Sequence, residues 1–188
     1  MSSANRVTRQ PSCDDPYDPA LLSVDGALKR IAETVSSISD VEVVALREAL
    51  DRVLAADVHS PIEVPNHTNS AMDGYALRFA DLAKMPLQVI GTAWAGRAFN
   101  GSVGPGESVR IMTGAVLPDG ADTVVMQEHV ERDDDLIRVA GGQREGQHVR
   151  HAGEDLARGG TALGAGRRLL AADIGMVASL GVSELPVL

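Results

Sequence analysis

The sequence predicts an α+β fold in which a small mixed α/β domain is interrupted by an inserted β-rich domain, giving an elongated molecule. Helical periodicity occurs near both ends of the 188-residue chain, and the middle consists of short extended stretches separated by Gly, Pro and Asp turns. Hydrophobic residues make up 44% of the chain and aromatic residues only 3%. We therefore expect cores of aliphatic side chains.

Three segments follow from these patterns. Residues 1–19 mix Ser, Arg, Asp and Pro without periodicity, which is typical of a flexible leader. Residues 20–59 and 160–188 are predicted to form one discontinuous α/β domain. Residues 60–159 are predicted to form the inserted β-rich domain.

The first flank begins with an amphipathic helix. Apolar residues recur three and four positions apart from Leu21 to Ile38, and Ser23 is well placed as the N-cap. A short apolar run at Val43 to Leu46 follows, then one or two helical turns at Arg47 to Ala55. Asp57 to Val64 returns to an extended pattern that ends at prolines.

The inserted segment is predicted to be built from short strands, and the aspartate run at 133–135 from the tip of a hairpin. The predicted strands are Leu87 to Trp94, Ser108 to Met112, Thr123 to Gln127 and Leu136 to Val139.

The second flank is predicted to return to helix. A helical pattern at Leu163 to Leu170 leads into a helix at Ala171 to Leu180, with Gly181 as the residue that ends it. A final strand is expected at Val182 to Val187.

Composition excludes several classes of protein. The formal net charge is −9, which disfavours nucleic-acid binding because that affinity depends on Lys and Arg. The single cysteine, Cys13, cannot form an internal disulfide, and this fits a reducing compartment. No apolar run approaches the roughly 18 residues that span a bilayer. We expect a cytoplasmic protein with no membrane partner.

The segment from Asn69 to Ala76 has two interpretations. Ser70 and Asp73 match a helix capping box. Alternatively, Asp73 stands on a turn with its carboxylate facing a cleft. The pattern alone leaves both open.

The segment from Ser108 to Gly114 is read as a strand with Arg110 and Met112 on one face. Its end is either an ordinary turn or a binding element. In the second case Thr113 donates a hydrogen bond to an oxyanion, and Arg110 forms a fork to a phosphate or carboxylate.

The segment from His148 to Asp155 concentrates charged and metal-binding side chains. His148 and His151 are three residues apart, so on a strand they point to opposite faces and make a poor zinc site. A charged loop in which Arg150 pairs with Glu154 or Asp155 is one alternative. A Mg²⁺ site shared with a phosphate is the other.

Taken in order, these motifs resemble the molybdopterin molybdenumtransferase family, which includes MoeA and the E domain of gephyrin. The resemblance runs from Leu21 to Leu188, and the order of separate motifs makes it specific. The motifs are Asn69 to Ala76, Arg110 to Ala115, Gly120 to Val125 with Gln127 and Glu128, Arg150 with Gly153 to Asp155, and Ala172 to Gly181. No P-loop, nucleophile elbow or dinucleotide-binding motif is present.

The resemblance implies insertion of molybdate into adenylated molybdopterin, with release of AMP and the help of Mg²⁺. It implies a cleft between the β-rich domain of one subunit and later domains of a dimer partner. By motif, Asp73, Thr113 and Asp155 would be catalytic, with Asp73 and Asp155 as metal or water ligands. Ser70, Arg110 and Arg150 would bind substrate.

The resemblance also frames the expected partners. The discontinuous domain is the part that pairs subunits in the family, so a homodimer is expected. Molybdopterin adenylyltransferase and acceptor molybdoenzymes are further possible partners. Members of the family are longer, and a chain that stops at Leu188 is expected to be inactive alone. His148 stands where the family pattern leads us to expect Asn.

Two rival functions are left open. Relatives of this fold also serve as scaffolds, so a non-enzymatic interaction module is the first alternative. A scaffold would need an exposed apolar patch rather than convergent site residues. The second alternative is a metal-binding β protein built on His148 and His151.

Overall fold

The computed structural model describes residues 22–188, so the predicted leader at 1–19 and Cys13 lie outside the described residues. The described residues divide into two units, 22–40 and Val41–Leu188. The predicted α+β class is confirmed. The boundaries proposed for the two domains stay a prediction. Neither α-helix found in residues 22–188 is long and apolar enough to cross a bilayer.

The helices and strands are short. The helices are α1 (Val24–Thr34) and α2 (Ala171–Ser179), and the strands are β1 (Glu42–Ala45), β2 (Val58–His59), β3 (Asn69–Ser70), β4 (Gly74–Leu77), β5 (Leu87–Ala93), β6 (Glu107–Ile111), β7 (Thr123–Met126), β8 (Val130–Asp133), β9 (Leu136–Val139), β10 (Val149–Arg150), β11 (Thr161–Leu163) and β12 (Glu184–Val187).

Helix α1 is an amphipathic helix with an exposed apolar face. The backbone N–H of Gly26 donates to Ser23 Oγ at 3.1 Å, which confirms the predicted N-cap. The helix is shorter than predicted because Val35 turns to extended backbone, with ψ 119°. No residue of α1 is buried, and Val24, Leu28 and Ile31 are all more than half exposed.

A six-stranded sheet forms the centre of the Val41–Leu188 unit, in the order β7-β4-β6-β5-β9-β8. Strands β5 and β6 run parallel and the other neighbours run antiparallel. The four strands predicted in this segment are present within one or two residues of their expected ends. Strands β8 and β9 form the predicted hairpin, with Asp134 in the left-handed region at φ 50°.

Strand β4 was not predicted, although it lies between β7 and β6 in the sheet. All four of its residues are buried. A side chain at Gly74 would place its Cβ 2.0 Å from the Val125 carbonyl oxygen. Glycine at this position therefore lets β4 lie against β7.

Aliphatic side chains fill the space on the two faces of this sheet, as predicted from composition. One cluster contains Ala76, Val109, Ile111 and Val124, all fully buried. The other contains Leu77, Leu87 and Ile137 together with Tyr75.

A further core joins the two ends of the Val41–Leu188 unit. Strand β1 pairs with β12, and β2 pairs with β11, all antiparallel. Residues from both ends share one buried cluster, which includes Leu54, Leu169, Val177 and Leu185. Helix α2 and the predicted Gly181 ending are confirmed, with Gly181 at φ 78°.

Of the helical predictions in these flanks, that for 163–170 is wrong and that for 47–55 is confirmed only in part. Leu163 belongs to strand β11, and the chain from Gly164 to Leu170 is not helical. A positive φ of 80° at Gly166 breaks the helical path there. Only Leu46–Glu48 forms a 3₁₀ turn in the region predicted as helical at 47–55. Leu54 instead bridges to Val187, which buries its side chain fully.

Candidate functional site

Strand β3 brings three motifs of the sequence together. It pairs with β10, so that Ser70 faces Val149. The backbone N–H of Ser70 donates to the Ala115 carbonyl at 3.0 Å, and the N–H of Gly114 donates back to the Ser70 carbonyl at 2.8 Å. Segments that lie 45 and 79 residues further along the chain, at Ala115 and Val149, therefore meet at Ser70.

Ser70 closes a turn rather than capping a helix. Its hydroxyl donates to the Met72 carbonyl at 2.6 Å and accepts from the Met72 N–H at 3.2 Å. No helix follows, because the chain enters strand β4 at Gly74. The capping-box interpretation is wrong, and the buried Ser70 hydroxyl orients the turn that presents Asp73.

Asp73 is exposed and held by Thr113. The Thr113 backbone N–H and its hydroxyl both donate to Asp73 Oδ1, each at 2.7 Å. The backbone hydrogen bond first, then the hydroxyl, lowers the pKa of Asp73 below its ordinary value, and the charge of Arg110 adds to this. Within residues 22–188 Asp73 Oδ2 accepts no hydrogen bond, so it is available to a ligand.

Both hydrogen-bond donors of Thr113, the backbone N–H and the hydroxyl, are taken up by Asp73. Its hydroxyl hydrogen points to the carboxylate, so the hydroxyl offers lone pairs rather than a proton to a ligand in this arrangement. Gly114, at φ 78°, completes the turn after strand β6. The pairing of Asp73 with Thr113 was not anticipated from the residues, since 40 positions separate them.

Arg110 is held along the sheet by partners that sequence reasoning missed. Its guanidinium lies 5.1 Å from the centre of the Tyr75 ring. Nη1 donates to the Gly74 carbonyl at 2.8 Å, and Nη2 donates to Gln127 Oε1. Tyr75 and Arg110 are direct neighbours in the β4–β6 register, a contact that becomes predictable only once β4 is recognised as a strand.

Arg150 pairs with both acids that the sequence offered as alternatives. Nε donates to Glu154 Oε1 at 2.7 Å, and Nη2 donates to Asp155 Oδ2 at 2.5 Å. The bond to Asp155 first, then that to Glu154, raises the pKa of Arg150. Arg150 and the His151 N–H in turn lower the pKa of Glu154.

One oxygen of Asp155 and one nitrogen of Arg150 remain available. Within the part of the chain that the structure describes, Asp155 Oδ1 and Arg150 Nη1 form no hydrogen bond. The Asp155 side chain is 53% exposed. This edge can therefore offer both a carboxylate oxygen and a guanidinium donor to a ligand.

The histidines do not build a metal centre in the described residues, where no group of three or more His, Cys, Asp or Glu is arranged to hold an ion. His148 instead occupies a position where the backbone takes an uncommon conformation. Its φ is 56°, a left-handed conformation in which Asn and His are several-fold enriched. This accounts for an expected Asn at this position, and the His148 carbonyl accepts from the Ala71 N–H at 2.9 Å.

A cavity of about 340 Å³ opens beside Asp155. Its walls come from Val64, Leu156, the α2 residue Met176 and Leu180, which follows the helix. The cavity is lined mainly by apolar side chains, so the carboxylate lies at the edge of an apolar surface.

Comparison with known proteins identifies similar sequences and structures. Residues 22–181 match the family model described as the MoeA N-terminal region, domains I and II. A molybdopterin molybdenumtransferase from Haemophilus influenzae is 38% identical over 167 residues, which cover 88% of this chain and 41% of that protein. Gephyrin from Dictyostelium discoideum is 33% identical over 177 residues, covering 85% of this chain and 24% of gephyrin.

A solved structure agrees with these matches. The molybdopterin biosynthesis MoeA protein from Pyrococcus horikoshii superimposes with a TM-score of 0.81 and 36% identity, covering 87% of this chain and 45% of that one. The chain thus spans about two fifths of the length of the bacterial transferases it matches.

Proposed function

This chain belongs to the family of MoeA N-terminal regions, domains I and II, and we propose that it forms one wall of a site that inserts molybdate into adenylated molybdopterin with release of AMP. Its relatives include proteins named molybdopterin molybdenumtransferase. The adenylated form of the substrate and the assignment of residues are part of the proposal.

One observation carries this proposal, which is the convergence at strand β3. Asp73 is held by Thr113 at 2.7 Å, and Arg150 is brought in by the pairing of β10 with Ser70 and Asn69. The resulting edge carries accessible carboxylate oxygens and a guanidinium donor. Such an arrangement suits an anionic substrate that arrives with a hard cation.

The donor set fits Mg²⁺. Among the described residues, Asp73 and Asp155 each keep one carboxylate oxygen free of hydrogen bonds. Mg²⁺ is commonly held by one or two carboxylates together with substrate phosphates and waters. When bound there, Mg²⁺ would neutralise charge on the phosphate oxygens. The Thr113 hydrogen bonds lower the pKa of Asp73 further below its ordinary value, which favours the charged form that a metal ligand must have.

The remaining side chains position these groups. Thr113 fixes the orientation of Asp73, and Ser70 shapes the turn between them. Glu154 holds the Arg150 guanidinium, so that Nη1 can donate to a substrate oxyanion. Arg110, stacked on Tyr75, contributes positive charge along the sheet.

The same proposal includes a homodimer formed through α1. Its apolar face is exposed, with Val24 76%, Leu28 59% and Ile31 58% accessible, as expected of a helix that packs on a second copy. Leu28→Asp should shift the protein to monomer in sedimentation, whereas Lys29→Asp on the same helix should not. Delivery to acceptor molybdoenzymes, or receipt of substrate from the adenylyltransferase, would use this assembled form.

A non-enzymatic scaffold is the second candidate, favoured by that same apolar face and by the similarity to gephyrin. A scaffold does not need Asp73 and Asp155. Substitution of these acids therefore separates the two functions.

The test compares Asp73→Asn and Asp155→Asn with Asp135→Asn, in the protein as expressed from its own gene. The readout is recovery of molybdenum-dependent enzyme activity in a host that lacks its transferase. We expect each site variant to lose about tenfold to hundredfold of the insertion rate. Asp135, whose side chain is 72% exposed in a hairpin turn, serves as the control. Unchanged insertion in both site variants would contradict the proposal.

A further inference from the structure

A hairpin beside the candidate site carries an exposed indole and an exposed guanidinium. The backbone N–H of Trp94 donates to the Arg97 carbonyl at 3.0 Å, and the N–H of Arg97 donates back to the Trp94 carbonyl at 2.9 Å. Gly96, at φ 76°, makes the turn. Trp94 is 49% exposed and Arg97 is exposed.

The hairpin lies against the turn that holds Thr113. Strand β5, which leads into it, runs parallel to β6 with Ala93 opposite Ile111. Met112, the residue after β6, donates its N–H to the Ala93 carbonyl at 3.1 Å. A side chain on Gly114 would place its Cβ 3.9 Å from the Ala95 Cβ. The two turns are therefore adjacent, with room between them for about one side-chain atom at Gly114.

The register places Trp94 on the same face of the sheet as Arg110. Thr92 lies opposite Arg110, and residues two apart along a strand share a face. Ala93 is fully buried in the core on the other face. Trp94 thus continues the face on which Arg110 stacks on Tyr75.

The side chains at this edge carry more negative than positive charge, and Arg97 offers a further positive charge. Three carboxylates, Asp73, Glu154 and Asp155, accompany two guanidinium groups. Arg150 is paired with two of the acids. Within residues 22–188 Arg97 forms no ion pair and no side-chain hydrogen bond. An anionic ligand at this edge would find its uncompensated positive charge on the hairpin.

We propose that Trp94 and Arg97 bind the nucleotide portion of the adenylated substrate. The indole presents a face on which a flat base can stack, and the guanidinium presents a planar fork for phosphate oxygens. This inference rests on the proposed function and adds a recognition element for the AMP leaving group. Asp73 and Asp155 then act on the phosphate side of the same ligand.

The chain offers a direct reporter, because Trp94 is its single tryptophan. AMP is titrated into the purified chain while indole emission is recorded under excitation that tyrosine does not absorb. We expect a saturable change in emission with AMP and a weaker response to adenosine. A pterin without phosphate tests whether the indole prefers the other ring of the substrate. No saturable response to AMP, or tighter binding of the pterin, would overturn the proposal.

Variants separate the two side chains. Arg97→Ala should weaken AMP binding about threefold to tenfold, whereas Arg47→Ala on the Leu46–Glu48 turn should leave it unchanged. Equal affinity in both variants would contradict a role for Arg97. Trp94→Phe should retain AMP binding in calorimetry, and Trp94→Ala should lose about tenfold. Equal loss in both would contradict stacking.

Failure here is distinguishable from failure of the proposed function. AMP binding is measured without molybdate or turnover. Its result is therefore independent of the insertion rates measured for Asp73→Asn and Asp155→Asn. Normal insertion with no AMP response would remove the hairpin from the site and leave the proposed function standing. A saturable AMP response in a protein that inserts no molybdate would support the hairpin as a binding element and count against the proposed function.

Discussion

Two regions of the molecule pair arginine with aspartate, and they differ in burial. At the start of α2, Arg167 contacts Asp173 at 2.9 Å, and the Asp173 side chain is only 6% exposed. At the edge formed by β3 and β10, Arg150 contacts Asp155 at 2.5 Å, with 53% of the Asp155 side chain exposed. The carboxylate is therefore enclosed in the first pair and accessible in the second, while both arginine side chains are partly exposed.

The direction of a pKa shift does not distinguish these regions. Arg167 first, then the Leu170 N–H, lowers the pKa of Asp173. Thr113 lowers the pKa of Asp73 in the same direction. What differs is that Asp173 uses both oxygens, one on Arg167 and one on the Leu170 N–H. Asp73 and Asp155 each keep an oxygen without a hydrogen bond from residues 22–188. Accessibility to a ligand therefore separates a helix cap from a candidate site.

The largest effect on stability is expected at the α2 core. Leu169 is fully buried beside the start of α2, and Leu169→Ala should lower the free energy of unfolding by about 2–5 kcal/mol. Urea unfolding followed by circular dichroism measures it. A change below about 0.5 kcal/mol would mean that this core does not support the flank.

A smaller, pH-dependent effect is expected for Asp173→Asn. Because the folded pKa of Asp173 is lowered, its stabilisation is present above its ordinary pKa and is lost as pH falls through the folded value. The variant should be less stable than the parent at neutral pH, and the difference should shrink below about pH 4. Thermal unfolding across this range measures it. A constant difference at all pH values would contradict the assigned charge interaction.

The smallest effect is expected at an exposed pair. Arg47 and Glu48 lie 3.8 Å apart with side chains 86% and 62% exposed. Arg47→Ala should change the free energy of unfolding by less than about 0.5 kcal/mol. A loss above about 1 kcal/mol would show that exposure alone does not mark an ion pair as dispensable.

Regular local patterns could be read from the sequence. The strands at 87–93 and 136–139 are bounded by turn residues, and Ser23 and Gly181 are recognisable helix ends. Helix 163–170 was wrong because the apolar spacing there reflects pairing with β2 and burial of Leu169 rather than a helix face. Tertiary pairing overrode a local pattern.

The site was predictable as a set of residues but not as a set of contacts. Motif order selected Asp73, Thr113 and Asp155, and the charged loop suggested partners for Arg150. The contact of Asp73 with Thr113 depends on pairing across 40 residues, and the Arg110 stack depends on strand β4. Neither contact can be read from the neighbouring sequence. Strand β4 is hard to recognise because it begins with a glycine, which is needed for close approach to β7.

The most direct test of the central claim measures Asp155→Asn and Asp173→Asn side by side, for both the rate of molybdate-dependent AMP release and the midpoint of thermal unfolding. Both are made in the protein as expressed from its own gene, with rates taken well below either midpoint. The account predicts that Asp155→Asn loses about tenfold or more of the rate with an unchanged midpoint. It predicts that Asp173→Asn loses midpoint and keeps its rate. Loss of midpoint without loss of rate in Asp155→Asn would contradict the account, because the exposed cluster would then be structural.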